Sequence, residues 1–224
     1  GLDQNTERIV SVLMAQAERQ LIAGKYLEPK GENIKETLDE ILHMVPNYEP
    51  AIAKQEEIAT IFEIQARRLV GEDNYESALA EIEKGQLFYL DHSGLIELKV
   101  LVKEQLAKIE LEKTIAGLFE LSRKQEKQGR LISPLSDNAV KTLNHILALQ
   151  PENVEAAEVL KAIENSIFTR LTEGLKELEV NHFERESKQI KRAFGDSERL
   201  KKLTLQYVQI KQEREKLSKI NNLL

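Results

Sequence analysis

Residues 129–157 read GRLISPLSDNAVKTLNHILALQPENVEAA, and residues 24–51 read GKYLEPKGENIKETLDEILHMVPNYEPA, nearly the same text 105 residues earlier. Superposing residue i on i+105 over positions 24–58 gives ten identities in 35 positions. They are Gly24/Gly129, Pro29/Pro134, Asn33/Asn138, Thr37/Thr142, Leu38/Leu143, Ile41/Ile146, Leu42/Leu147, Pro46/Pro151, Ala51/Ala156 and Ile58/Ile163. The level is well above coincidence, and the shared positions are those that helix physics would keep. Gly24 and Gly129 follow the amphipathic stretches ERIVSVLMAQAERQLIA and KTIAGLFELSRKQEKQ, where a helix ends most easily in a left-handed residue. Pro29 and Pro134 block any continuation. Asn33 and Asn138, or Asp137 beside the latter, sit at the next helix start, where a short polar side chain accepts a bond from an orphan N–H.

Leu38, Ile41 and Leu42, and likewise Leu143, Ile146 and Leu147, recur at i, i+3, i+4 and form one apolar stripe on a short helix. Pro46 and Pro151 close that helix. A new one begins at Pro50 or Asn153 and in the first copy runs through Ile52, Ala59, Phe62, Ala66 and Leu69. With Ile58 and Ile61 added, its apolar surface covers more than half the circumference, which predicts a helix packed on two sides. Beyond this the copies correspond with slight slippage. NYESALAEIEKGQLFYLDHSGL from Asn74 matches NHFERESKQIKRAFGDSERL from Asn181, each with an aromatic after a turn (Tyr75, Phe183) and then Ile82 or Ile190. From Ser93 to Gln128 Gly117 is the one internal breaker, so the pattern fits either one helix about 54 Å long or a break near Glu110 to Lys113. Its second-copy counterpart is a C-terminal helix from roughly Ser197 to Asn221.

Composition agrees with long amphipathic helices: apolar residues make up 41% and charged residues 31%, against only 10 Gly and 5 Pro. Without Cys, neither a disulfide framework nor a thiolate metal site can form. No apolar run approaches membrane-helix length, and Gly1 to Glu7 has no signal-peptide character, which predicts a soluble chain. The opening Gly-Leu and the uncapped close KLSKINNLL suit a fragment as well as a whole protein. The net charge of −6 argues against wholesale phosphate-backbone binding, yet it is unevenly spread. From His182 to Leu224, 11 Lys and Arg face 6 Asp and Glu, a net of +5 that leaves −11 for residues 1–181.

The turn and helix of the second copy resemble tetratricopeptide-like (TPR-like) repeats, specifically the tandem arrays of bacterial multidomain proteins. There a Gly-x-Leu-x-x-Pro-x-x-x-Asn-Ala turn precedes the second helix and Pro-x-Asn-x-x-Ala follows it, as Gly129 to Ala156 reads here. The resemblance implies an all-α helical-hairpin solenoid of about four hairpins plus a C-terminal helix, built as a tandem duplication with modules at 1–110 and 111–224. In those terms Ala78, Ile82 and Gly85, and Ala139, Leu143 and Ile146 with Pro151, resemble the packing positions of two second helices. Ile34 and Glu186 depart from the pattern by standing where a small residue is usual. The first helices lack the usual Trp and Leu-Gly signature, and hairpins recur at roughly 44 to 61 residues rather than about 34. The resemblance also implies an envelope-associated bacterial protein, with a periplasmic domain of a membrane-anchored protein favoured over a cytoplasmic one.

Signatures of chemistry are sparse. The zinc spacings are absent among His43, His92, His145 and His182. His43 and His145 fall inside second helices, where packed or half-exposed imidazoles are expected, and His92 and His182 fall at turns, as cap or linker residues. Carboxylates interleave with Lys and Arg as on a solvated helix face. There is no nucleophile elbow, phosphate loop or dinucleotide fingerprint, so a non-enzyme without cofactor or metal is expected. The expected function is a protein-interaction scaffold whose array face, walled by the first helix of each pair, holds a peptide or helical partner. Lys54, Glu57, Gln65 and Arg68, along one flank of the long first helix, are the candidate partner-binding residues. Alternative readings are a structural spacer or dimerisation module of a larger membrane-anchored bacterial protein, with a homodimer through the C-terminal helix, and, against the expectation that nucleic acid is no partner and that this segment does not insert into a membrane, weak nucleic-acid or anionic-membrane binding. The last would use a basic patch of Lys188, Lys191, Arg192, Arg199, Lys201 and Lys202, although aromatic stacking residues are few there (Phe183, Phe194 and Tyr207).

Overall fold

The computed structural model describes residues 1–175 and 180–224. Among them the order is α1 (Gln4–Ile22), α2 (Ile34–Met44), α3 (Glu49–Gly71), α4 (Tyr75–Phe88), α5 (Ser93–Lys127), α6 (Ala139–Leu149), α7 (Val154–Gly174), α8 (Val180–Phe194) and α9 (Glu198–Asn221). No strand occurs among the described residues, so the protein is all-α. None of these helices is long and apolar enough to cross a membrane. The chain divides into two compact units, Gly1–Ile109 and Glu110–Leu224, with the division inside α5. That helix runs unbroken, and the alternative break near Glu110 to Lys113 does not occur. Strong helix formers fill the segment, and Gly117, with nothing within 4 Å of where a Cβ would stand, costs it only propensity.

The duplicated stretch folds into duplicated geometry, with the helix-ending and capping bonds matched between the copies. After α1, Gly24 takes φ 68°, and after α5, Gly129 takes φ 70°. The N–H groups of Gly24 and Lys25 return to the carbonyls of Leu21 (3.0 Å) and Gln20 (2.9 Å), and those of Gly129 and Arg130 to Glu126 (2.9 Å) and Gln125 (2.9 Å). This pair of bonds satisfies the last helical carbonyls and needs a left-handed residue, hence glycine. The turns continue through cis bonds at Glu28–Pro29 and Ser133–Pro134. Each then folds back on the following helix. Ile34 N–H donates to the Lys25 carbonyl and Ala139 N–H to that of Arg130, both at 2.9 Å.

Asn33 and Asn138 cap these helices from both sides. Their Oδ1 atoms accept from Glu36 N–H (3.0 Å) and Lys141 N–H (2.9 Å), while their Nδ2 groups donate to the carbonyls of Pro29 (3.1 Å) and Pro134 (2.8 Å). Asp137 is not the cap: it accepts from Gln125 Nε2 at 2.7 Å and pairs with Arg130. One further match lies four residues before the quoted stretches. Thr37 donates its hydroxyl to Gln20 Oε1 and Thr142 donates to Gln125 Oε1, both at 2.8 Å and both buried. Gln20 and Gln125 are themselves 105 residues apart. A buried amide with this partner ties the end of the first helix to the start of the second, and either side chain alone would leave an unsatisfied polar group.

Packing follows the stripes. In the first unit Leu38 and Ile41 of α2 are fully buried with Val10 and Ala17 of α1 and Ile58 and Phe62 of α3. The other side of α3, through Ala59, Ala66 and Leu69, packs with Ala78 and Ile82 of α4 and Leu95, Leu98 and Val102 of α5. Helix α3 therefore lies between two clusters, as its wide apolar surface predicts. Gly85 allows the close approach in the second cluster, since a Cβ there would stand 2.6 Å from Leu95 Cδ1 and 2.9 Å from Phe62 Cβ. In the second unit Leu143, Ile146, Ile163, Phe168 and Ile190 share one cluster with Leu200, Leu203 and Tyr207 of α9.

Candidate functional site

A groove opens in the first unit where three elements meet. The turn after α1 supplies Tyr26, α3 supplies Ile61, Phe62, Ile64 and Gln65, and α4 supplies Glu81 and Lys84, around about 490 Å³. Its floor is aromatic: Tyr26 stands edge-on to Phe62 at 5.2 Å, and Phe62 stacks on Phe88 at 6.0 Å. On the rim Lys84 pairs with Glu81 at 3.0 Å. Ile64 stays 66% exposed there, although a large aliphatic side chain gains by being covered.

The second unit carries a groove at the corresponding place. The turn supplies Leu131, Ile132 and Ser133, α7 supplies Ile167 and Arg170, and α8 supplies Glu186, Gln189 and Ile190, around about 190 Å³. Tyr26/Leu131, Phe62/Ile167 and Gln65/Arg170 each stand 105 residues apart, so the feature is part of what was duplicated. Apolar side chains recessed among a few polar groups form a surface suited to holding an apolar anchor.

The candidate flank of α3 is split between two tasks. Gln65 lines the groove and receives Arg68 Nε at 3.4 Å, while Arg68 also pairs with Glu72 at 2.5 Å. Lys54 and Glu57 lie toward the other end of α3, where Lys54 Nζ reaches Glu57 at 2.6 Å and Glu18 of α1 at 3.0 Å. The hydrogen bond that Lys54 donates to Glu57 holds the lysine above its ordinary range, helped by Glu18 and opposed by burial. A raised lysine pKa stabilises the folded unit fully below the unfolded value, and that contribution is lost as pH rises through the folded one. Thermal melts across the alkaline range are expected to show this loss in the parent, with a shallower dependence in Lys54→Gln.

The six basic candidates are spread over α8 and α9. Lys188, Lys191 and Lys201 line one groove between α8 and α9. Arg192 lies in a neighbouring recess with Arg185 and Glu184, and Lys202 is exposed outside both. Arg199 is turned onto α7, donating to Asn165 Oδ1 at 2.7 Å with its guanidinium 4.6 Å from the Phe168 ring centre. Lys188 lines both recesses, while Arg199 is directed away from them onto α7.

One histidine expectation, that for His182, needs correction. His43 and His145 lie on the exposed side of their short helices. His182 is not at a turn but inside α8, 3.3 Å from Glu186 one helical turn on. His92 is indeed a cap: Leu95 N–H donates to its Nδ1 at 3.3 Å, and its Nε2 lies 3.0 Å from Thr60 Oγ1. Among the described residues no cluster of His, Asp and Glu could hold a metal ion. Sequence periodicity missed Tyr26, Glu81 and Lys84, whose meeting with α3 depends on chain reversal. The signal available was the apolar match of Tyr26 and Leu131 in the shared alignment.

Compared with protein-family models, curated proteins and solved structures, the chain matches none.

Proposed function

We propose that this protein is a TPR-like helical scaffold, not an enzyme, which holds a peptide or helical segment of another protein in the groove formed by turn, α3 and α4 and in its second-unit counterpart. The observation that carries this reading is the repetition of a recess at matched positions, mixed in lining in the second unit and more apolar in the first, where Ile64 is left uncovered beside the Tyr26–Phe62 floor. A partner's apolar side chain seated there would add area to Phe62 and cover Ile64, while Gln65 and the Glu81–Lys84 pair would set its orientation.

Panning a displayed peptide library on the parent protein tests this, with Ile64→Glu as counter-screen. Enriched peptides are expected to carry an apolar anchor and to bind Ile64→Glu about tenfold or more weakly, since a charged side chain would then border the buried contact. Enrichment of peptides that bind both forms equally, or no enrichment, would contradict the reading.

A second reading draws on α9, where Leu217, Ile220 and Leu223 are exposed in the last turns and just beyond. In it the chain is a spacer that dimerises through α9. Sedimentation would then show a dimer that Ile220→Asp dissociates.

A further inference from the structure

We infer that the groove between α8 and α9 is a docking site for an acidic amphipathic helix, separate from the turn grooves. It encloses about 520 Å³, with Leu200, Thr204 and Leu205 along α9 and Lys188 and Lys191 on α8, while Lys201 borders it from α9. Leu205 is 65% exposed. Three lysines face one carboxylate in this lining, Asp196, in a protein whose overall charge is negative.

The cations are available. Lys188 has no ion-pair partner among the described residues. Lys191 touches Asp196 at 3.4 Å and Lys201 touches Glu198 at 3.1 Å, pairs whose members are all more than half exposed. Exposed pairs of this kind hold loosely and exchange readily for a better-placed carboxylate. The Ser187 hydroxyl in the same lining has no hydrogen-bond partner among the described residues.

The first unit uses the equivalent place differently. Lys99, 105 residues before Thr204, extends from α5 to α4 and donates to Gln86 Oε1 at 2.8 Å. Thr204 is too short for that span and donates instead to the carbonyl of Leu200, one turn back, at 2.8 Å. The cross-helix bond of the first unit is thus replaced in the second by an open apolar trough with cationic rims.

Charge complementarity selects an acidic occupant, and the recessed Leu200 with the exposed Leu205 selects one with apolar side chains at i, i+3 and i+4 spacing. Nucleic acid is disfavoured because no ring lines the groove for base stacking. A flat bilayer would meet the lysines without reaching the recessed Leu200.

The test is fluorescence anisotropy on the full chain with a labelled helical probe of about sixteen residues, bearing Leu and Phe on one face and Glu and Asp elsewhere. Saturable binding is expected, at least tenfold weaker in Lys188→Glu/Lys201→Glu and in Leu205→Glu, and weaker at about 300 mM than at about 50 mM salt. Unchanged melting by circular dichroism would show these variants folded; if charge reversal lowers it, Lys188→Ala and Lys201→Ala should show the same direction of loss. Ile64→Glu should bind the probe as the parent does, which separates this site from the turn groove. The inference is overturned if the probe does not saturate, or if a scrambled peptide of equal composition with no apolar face binds as well. It is also overturned if the lysine variants lose only phosphatidylglycerol vesicles or single-stranded DNA while the probe is ignored.

Discussion

Truncating Leu38 or Leu143 to alanine is expected to destabilise the protein by about 2–5 kcal/mol in each case, the usual cost of removing a fully buried leucine. The two residues occupy the same position in the two copies, one turn after the Asn33 or Asn138 cap, and both are wholly inaccessible to solvent. Each packs with the isoleucine three residues on and with the long helix that follows. Because the surroundings are duplicated, the two losses should be similar, which a duplication in sequence alone would not require. Urea denaturation followed by circular dichroism measures both. A loss below about 1 kcal/mol at one position with several at the other would show that the two sites do not share one packing environment.

Phe168→Ala should be the costliest single truncation in the second unit, at about 3–5 kcal/mol. The ring is fully buried in the cluster that joins α7 to α6, α8 and α9, and its face also carries the Arg199 guanidinium. Phe168→Leu keeps most of the apolar burial but removes the aromatic face, so it should retain a smaller loss, of which about 0.5–1 kcal/mol is the cation–π contact. Arg199→Ala in the Phe168→Leu background should then cost less than in the parent, in a double-mutant cycle read by denaturant midpoint. Additive effects would mean that Arg199 gains nothing from the ring beyond its bond to Asn165.

Much of this architecture can be read in the sequence because it is local. Gly24 and Gly129, Asn33 and Asn138, and the stripes around Leu38 and Leu143 state the helix ends and buried faces within a few residues of one another, where periodicity and capping are reliable guides. The two-sided burial of α3 was equally legible from its wide apolar surface. What was not legible depends on contacts between distant segments. Lys54 looked like a free flank residue, but Glu18 of α1 lies 3.0 Å away. Arg199 looked like part of a basic patch, but Phe168 and Asn165 hold it against α7. Arg199 and Lys201 stand two residues apart on α9, and helical geometry sends them to different neighbours. His182 misled for another reason: the match to Asn74 placed Asn181 before a helix, while α8 already begins at Val180. The turn groove lay beyond periodicity because Tyr26 and Phe62 meet only after the chain has reversed twice.

The duplicated turn is the claim on which the rest depends, and amide hydrogen exchange measures it most directly. The amides of Lys25, Ile34 and Lys35, and those of Arg130, Ala139 and Val140, lie in or beside loops that would exchange freely if unstructured. Each nevertheless donates to a matched carbonyl: Gln20, Lys25 and Tyr26 in the first copy, and Gln125, Arg130 and Leu131 in the second. Slow exchange at all six, with similar protection at corresponding positions, is the predicted result. Rapid exchange at either turn, or protection in one copy only, would contradict the account.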